Sequence, residues 1–178
     1  MRESAFSIME LLLVVAILGI VALELITRSS GVVGEKKLEL AASEVAAALR
    51  FANSEAVRTG VYHGARFSTA DNRALVYRLD TSGSPPVEEY SVFHPVDKRL
   101  YRVELANGGF TQGVNISLSD FRFGGAATAY ESVAFAATGM PISPVDLTLM
   151  DQGQVDLTDG QMTKSVTLAP VTGRVSVQ

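Results

Sequence analysis

The chain has 178 residues, 47% of them hydrophobic, a length that suits one core of roughly 100–150 residues plus an appended segment. It contains no cysteine, which excludes a disulfide framework, thiol catalysis and thiolate metal sites. The formal net charge is -4, and beyond residue 27 the chain has 14 Lys and Arg against 16 Asp and Glu, so no basic excess is available to bind a nucleic-acid backbone.

An apolar run from Phe6 to Ile26 predicts a helix that crosses a membrane, since 21 residues at about 1.5 Å each reach the roughly 30 Å of a bilayer core. A cleaved secretory signal is one alternative, but only Arg2 is basic and Glu10 interrupts the run. A membrane anchor without a further role is another alternative for this apolar run. It leaves Glu10 and Glu24 unexplained, because an acid at mid-membrane costs about 2.5–3.5 kcal/mol.

The first ten residues have a third interpretation. A short polar leader, residues 1–5, ends in the small Ala5, Phe6 follows, and Glu10 stands at the fifth position after Ala5. This arrangement resembles the class III signal of type IV pilins and type II secretion pseudopilins, in which glycine usually stands where Ala5 is. The resemblance implies that a prepilin peptidase cuts between Ala5 and Phe6 and methylates the new N-terminus at Phe6. It also implies a single-pass protein of the bacterial inner membrane with its C-terminal domain in the periplasm.

Glu10 then has a physical reason to lie in an apolar segment. Cleavage creates a positively charged amine on Phe6, and a carboxylate in low dielectric gains most from a nearby opposite charge. In the family this acid pairs with the N-terminal amine of a neighbouring subunit, so the resemblance implies that Glu10 is an assembly residue. Glu24 has no such role and is expected at the outer membrane–water boundary.

A second helix is predicted over about 35–59. Gly31 and Gly34 predict a flexible joint before it, and Gly60 is a stop signal after it. Apolar residues at alternating spacings of four and three predict one buried face. These residues are Leu38, Ala42, Val45, Leu49, Ala52 and Ala56.

The remainder predicts β-structure, because short runs rich in Val, Tyr, Phe and Thr alternate with turn residues. The runs are GVYHGARFS, ALVYRLDT, EEYSVFHPV, RLYRVEL, NISLSDFRF, SVAFAATG, VDLTLMD and SVTLAPVTGRVSV. The predicted fold class is α+β and type IV pilin-like, with a long N-terminal helix, membrane-spanning and then amphipathic, packed on an antiparallel β-sheet domain. The predicted domains are a leader (1–5), a transmembrane and assembly helix (6–27) and a periplasmic globular domain (28–178).

Catalytic and metal-binding patterns are weak. His63 and His94 are the only histidines, and no nucleophile elbow, metal-binding His pair or phosphate loop accompanies them, so we expect neither an enzyme nor a cofactor. In DQGQVDLTDG the carboxylates of Asp151, Asp156 and Asp159 are candidate calcium ligands, but their spacing does not match an EF-hand. We interpret this stretch as a solvated turn.

Three further stretches narrow the resemblance. LRFANSEAVRTG, with Arg50, Glu55 and Arg58, VAFAATGMPIS and the terminal PVTGRVSV are similar to the GspH/FimT group of minor pseudopilins and minor pilins. In DNA-uptake members the Gly-Arg-Val ending belongs to a DNA-contacting tail, which makes Arg174 a candidate DNA contact. The alternative is that Arg174 closes the last strand by hydrogen bonds to backbone or a carboxylate.

Two functions remain open from the sequence. The first is a minor pseudopilin of a type II secretion system, at or near the tip of a periplasmic pseudopilus that drives protein export. Its partners would be other pseudopilins or pilins, the prepilin peptidase, the inner membrane and the secretion or pilus assembly platform. The alternative is a FimT-like minor pilin that binds DNA for uptake or primes pilus assembly. The acidic charge balance favours the first and argues against DNA as a partner.

Overall fold

The computed structural model describes residues 8–105 and 109–178, except for the side chains of residues 22–32. It contains two compact units, Met1–Lys36 and Lys37–Gln178. One long helix, α1, is followed by ten strands. Their bounds are α1 Ile8–Thr59, β1 His63–Ser68, β2 Arg73–Asp80, β3 Val87–Glu89, β4 Arg102–Glu104, β5 Asn115–Phe123, β6 Ser132–Phe135, β7 Pro141–Ile142, β8 Met150–Thr158, β9 Thr163–Leu168 and β10 Val175–Val177.

Helix α1 is continuous through the predicted joint at Gly31 and Gly34. Both glycines have helical backbone, and the flexibility of this joint stays a prediction. A single glycine costs only about 1 kcal/mol in a helix interior, and adding a residue to an existing helix needs no new nucleus. The helix ends where predicted, at Gly60, whose N–H donates to the Ala56 carbonyl with a φ of 69°.

The apolar N-terminal part of α1 has exposed side chains throughout Ile8–Val21. Within the described residues, no helix is both long and apolar enough to cross a membrane. The predicted span of 6–27 starts at Phe6, which lies outside the described residues.

Two antiparallel sheets form the β-region of the second unit. The first has the strand order β3-β2-β1-β6-β7, with β4 also pairing with β2, and the second has the order β10-β9-β8-β5. Every ladder between these strands is antiparallel. The predicted α+β architecture, a long N-terminal helix followed by antiparallel β-structure, is confirmed.

The main core joins the helix to both sheets. All six residues of the predicted stripe on α1 are buried, from Leu38 to Ala56. They belong to one cluster with β1 and β2 residues such as Phe67 and Val76 and with second-sheet residues such as Val155 and Val166. The predicted amphipathic face is therefore confirmed, and its many alanines let the helix approach the sheets closely.

A second, smaller apolar cluster covers the outer face of the first sheet, which points away from α1. It contains Tyr77, Leu79, Ala134 and Ile142. Tyr77 lies opposite Gly64 in the β1–β2 register, and its hydroxyl donates to the Val133 carbonyl at 3.1 Å. A Cβ at Gly64 would overlap the Tyr77 ring and the Val133 carbonyl, so the fully buried tyrosine requires glycine here.

Two predictions in the C-terminal half were wrong. VDLTLMD, predicted as a strand, is mostly the turn between β7 and β8, and only its last two residues, Met150 and Asp151, belong to β8. The following stretch, interpreted as a solvated turn, is β8 itself as far as Thr158. Val155 and Leu157 are buried in the core there, and this burial outweighs the turn preference of the surrounding aspartates and glycine.

Candidate functional site

The predicted assembly residue, Glu10, lies in the first turn of α1. Its side chain is exposed and is flanked by exposed apolar residues such as Met9 and Leu13. No described residue forms a hydrogen bond or an ion pair with its carboxylate. The predicted cleavage residues, Ala5 and Phe6, lie outside the described residues, as does the side chain of Glu24.

The three stretches similar to GspH/FimT proteins meet at one side chain, Asn53. Its Nδ2 donates to the carbonyl oxygens of Gly139 at 3.0 Å and Gly173 at 3.4 Å. Gly139 belongs to the Thr-Gly-Met turn after β6, and Gly173 to the turn between β9 and β10. One amide on the helix thus fixes two turns from different sheets. This role was not predicted from the sequence. The available signal was the position of Asn53, an amide directly after Ala52 of the buried stripe.

Both turns use glycine for a physical reason. Gly139 has a φ of 83° and Gly173 a φ of 63°, in the region that residues with a Cβ avoid. A Cβ on Gly173 would overlap the amide of Asn53 and come within 2.5 Å of the Gly139 carbonyl oxygen. The backbone can approach the helix this closely only without a side chain. We call the contact of Asn53 with these two turns the Asn53 junction.

The other helix residues of the resemblance lie beside the Asn53 junction. The Arg50 guanidinium donates to the Val175 carbonyl at 3.2 Å and so attaches β10 to α1. Arg58 pairs with Glu55 one turn earlier, through contacts of 2.5 and 3.0 Å, and this hydrogen bond lowers the pKa of the Glu55 carboxyl. Arg58 is exposed, so this ion pair is screened by solvent.

The candidate DNA contact, Arg174, is exposed on the turn that Asn53 fixes. Its backbone carbonyl accepts from the Ala169 N–H at 2.9 Å and so closes the β9–β10 turn. Its guanidinium has no hydrogen-bond or ion-pair partner among the described residues. The alternative in which this side chain closes the last strand is therefore not what the structure shows.

The three aspartates considered for calcium have separate partners. Asp151 accepts from the Gly125 N–H, and Asp156 accepts from the side chains of Gln154 and Ser165 on β8 and β9. Asp159 accepts from backbone N–H groups in the β8–β9 turn, and these bonds lower the pKa of its carboxyl. No group of three or more His, Cys, Asp or Glu residues in the described ranges is arranged to hold a metal ion.

The two histidines lie in different surroundings. His63 is buried at the start of β1, with Nδ1 2.8 Å from the Val61 carbonyl oxygen. The ring of His94 lies 4.7 Å from that of Tyr101, and its Nδ1 is 3.3 Å from an Asp97 oxygen. The structure does not bring the two histidines together in one site.

A polar network on the outer face of the first sheet was not predicted. Arg66 of β1 makes a bidentate pair with Glu88 of β3 at 2.7 and 2.9 Å, and the Tyr90 hydroxyl donates to the same carboxylate at 2.5 Å. Partial burial, together with the bond to Glu88, raises the pKa of Tyr90 to about 12. Because all three groups satisfy one another, the network holds the edge strand β3 across β2.

No protein-family model matches the sequence, and no curated protein matches it. Solved structures do match, and they show that the fold is type IV pilin-like. The minor pseudopilin EpsH from the type 2 secretion system of Vibrio cholerae is 16% identical, covers 80% of this chain and 96% of its own, and has a TM-score of 0.50. The type IV minor pilin FimU of Pseudomonas aeruginosa is 17% identical to this chain and has a TM-score of 0.51. The match covers 81% of this chain and 90% of the FimU chain.

A second crystal structure of EpsH gives 17% identity, 80% and 93% coverage and a TM-score of 0.50. At this level of identity the likeness establishes the fold. The chain therefore has the fold of a GspH/FimT-like pseudopilin, and its similarity to a secretion subunit and to a pilus subunit is equally good.

Proposed function

We propose that this chain is a minor pseudopilin of a type II secretion system, placed at or near the tip of a periplasmic pseudopilus that drives protein export. The observation that carries the proposal is the pilin-like fold of the chain, together with a helix, α1, whose first residues form an exposed apolar run containing Glu10. EpsH, which has the same fold, is a minor pseudopilin of such a system. In this proposal the partners are other pseudopilins or pilins, the peptidase and the assembly platform.

The N-terminus is proposed to mature in the manner of a prepilin. The peptidase removes residues 1–5 and methylates Phe6, and the apolar segment 6–27 then anchors the subunit in the inner membrane. Intact-mass measurement of native protein extracted from membranes should give a chain that starts at N-methylated Phe6. A mature start beyond Leu23, which an ordinary signal peptidase would produce, would contradict this part of the proposal.

Glu10 is proposed to pair with the N-terminal amine of a neighbouring subunit. Its carboxylate has no partner among the described residues, and an opposite charge in low dielectric would relieve the cost of keeping it there. Glu10→Ala should leave cleavage and membrane insertion intact and reduce co-purification with other pilin-like subunits. Glu24→Ala, which removes a second acid from the same helix, is the matched control and should co-purify like the wild type. Equal recovery of both variants would rule out the pairing.

A minor pilin that binds DNA is the second candidate, favoured by the exposed and unpaired Arg174. Binding through phosphates weakens steeply with salt and needs clustered cations, whereas the chain beyond residue 27 is slightly acidic. We therefore expect that the domain produced without its membrane helix binds DNA no more tightly than the roughly 10⁻⁴–10⁻⁶ M of non-specific contact at physiological salt, as measured by fluorescence anisotropy. Tighter, salt-sensitive binding would favour the DNA-binding function if Arg174→Ala abolishes it. Arg78→Ala, which removes another exposed cation, is the control and should leave such binding unchanged.

A further inference from the structure

The loop between β3 and β4 presents apolar side chains to solvent on an ordered hairpin, residues 91–100. Phe93 and Leu100 form a β-bridge, and the His94 N–H donates to the Arg99 carbonyl at 2.7 Å. Val96 at the tip is 82% exposed, and Phe93 is 57% exposed. Phe93, Val96 and Leu100 are all exposed on this one short loop, so it offers apolar contact area to a partner. We call this feature the apolar hairpin.

The same unit carries a groove on the outer face of its first sheet. Its volume is about 690 Å³, and its apolar walls are Pro86, Val87, Tyr90, Tyr130, Pro144 and Val145. The Arg66–Glu88 pair forms part of the floor. This volume lies within the roughly 300–1,000 Å³ of cavities that enclose small ligands, so the groove has room for side chains of a partner. We call it the outer groove.

The hairpin and the groove lie on different surfaces of the unit. Phe93 shares a surface depression with α1 residues such as Phe51 and Arg58. No residue of α1 lines the outer groove. Its residue Arg66 lies between the core residues Ala65 and Phe67 on β1, so Arg66 is on the face of the sheet opposite the core. A single copy therefore presents both features at once, and one copy can offer its hairpin while its groove receives another.

The charges of the two features are complementary. The apolar hairpin carries the exposed cations Lys98 and Arg99 against one acid, Asp97, which lies beside His94. The outer groove carries Glu131 on its wall and Asp146 next to its residue Val145, both exposed. Hydrogen bonds from Ser143 and Thr148 lower the pKa of Asp146 and keep it ionised. The apolar hairpin thus has a cationic excess and the outer groove an acidic rim, a complementarity that favours docking of one on the other in a single orientation.

We propose that the outer groove receives the apolar hairpin of a second copy of this chain. Because the hairpin of one copy contacts the groove of the next and the two features lie on different surfaces, the contact is heterologous, and its repetition builds a ring or an open head-to-tail chain of copies. The inference rests on the proposed function in taking the chain to be an assembling subunit. It concerns only residues 37–178, so it is independent of Glu10 and of N-terminal processing.

Cysteine cross-linking of the full-length chain in detergent tests this contact, since the natural sequence has no cysteine. The double variant Val96→Cys/Val145→Cys should form a ladder of dimers and larger oligomers on non-reducing gels after mild oxidation. Val96→Cys/Val171→Cys is the matched control, because Val171 is exposed but lies outside the groove. It should give at least about fivefold less cross-linked product at the same protein concentration.

Reversing the charges on the hairpin and on the groove rim, in the Val96→Cys/Val145→Cys background, is the second test. Lys98→Glu/Arg99→Glu should abolish the ladder, and adding Glu131→Lys/Asp146→Lys should restore it. A ladder of equal strength in the control pair, or one indifferent to charge reversal, overturns the proposal. Dimers from Val96→Cys alone, without Val145→Cys, also overturn it, because they would indicate a two-fold contact between hairpins. The two proposals can fail separately. If Glu10→Ala co-purifies like the wild type while the cysteine pair still gives a specific ladder, the proposed charge pairing of Glu10 is rejected and the contact between hairpin and groove is retained.

Discussion

Replacing Gly173 by alanine perturbs the Asn53 junction at its tightest point. The new methyl group would overlap the Asn53 amide and lie 2.5 Å from the Gly139 carbonyl oxygen. The half-buried Asn53 amide is held by its hydrogen bond to the Gly139 carbonyl, and Gly139 belongs to the backbone of a second turn, so moving either neighbour costs free energy. The β9–β10 turn must therefore shift away from α1.

Three costs add in this variant. An alanine at a φ of 63° costs about 1–2 kcal/mol. Overpacking a close contact costs about 1–3 kcal/mol, and losing the hydrogen bond from Asn53 costs about 0.5–1.5 kcal/mol. The free energy of unfolding should fall by about 2.5–6.5 kcal/mol, a large part of the 5–15 kcal/mol that a typical domain has.

Gly60 provides the matched control. Its φ of 69° is nearly the same, and a Cβ there would meet nothing within 4 Å. Gly60→Ala should therefore cost only the conformational term, about 1–2 kcal/mol. Thermal unfolding followed by circular dichroism should place the midpoint of Gly173→Ala at least about 5 °C below that of Gly60→Ala. Equal midpoints would refute the contact.

Combining Gly173→Ala with Asn53→Ala separates the overlap from the backbone conformation. The single change Asn53→Ala removes two hydrogen bonds and should cost about 1–3 kcal/mol. It also removes one of the two groups that the Gly173 methyl would strike. The double variant should therefore be more stable than the sum of the single effects predicts, by about 1 kcal/mol or more, and strict additivity would show that the two residues are not in contact.

The remaining predictions concern the outer face of the first sheet. Gly64→Ala should lower the free energy of unfolding by about 1–3 kcal/mol because its methyl would overlap the Tyr77 ring, whereas Tyr77→Phe, which loses only the bond to Val133, should cost about 0.5–1.5 kcal/mol in urea unfolding. Tyr90 makes stability depend on alkaline pH. Its pKa is about 12 in the folded chain against about 10 when unfolded, so its contribution is complete below pH 10 and is lost as pH rises towards 12. Stability should fall more steeply over that range in the wild type than in Tyr90→Phe, and equal slopes would contradict the raised pKa of Tyr90 in the folded chain.

Local patterns were sufficient to predict several elements. The stripe from Leu38 to Ala56 predicted a helix face that the structure buries, and Gly60 marked its end. Runs rich in β-branched and aromatic residues predicted β1, β2, β5 and β6. Such periodicity arises from the helix and the strand themselves, so a few neighbouring residues are enough to reveal it. The assembly role of Glu10 was also predicted from local order, that of the first ten residues, and it stays a prediction.

Contacts between distant residues were decided by the tertiary structure. The stretch that became β8 contains aspartates and a glycine that favour turns, and it forms a strand because β5 and β9 pair with it on both sides. The Asn53 junction joins residues 86 and 120 positions apart. Arg174 lies exposed on the turn that this junction attaches to α1. No local pattern encodes these placements, since the free energy that favours them comes from packing two sheets against one helix.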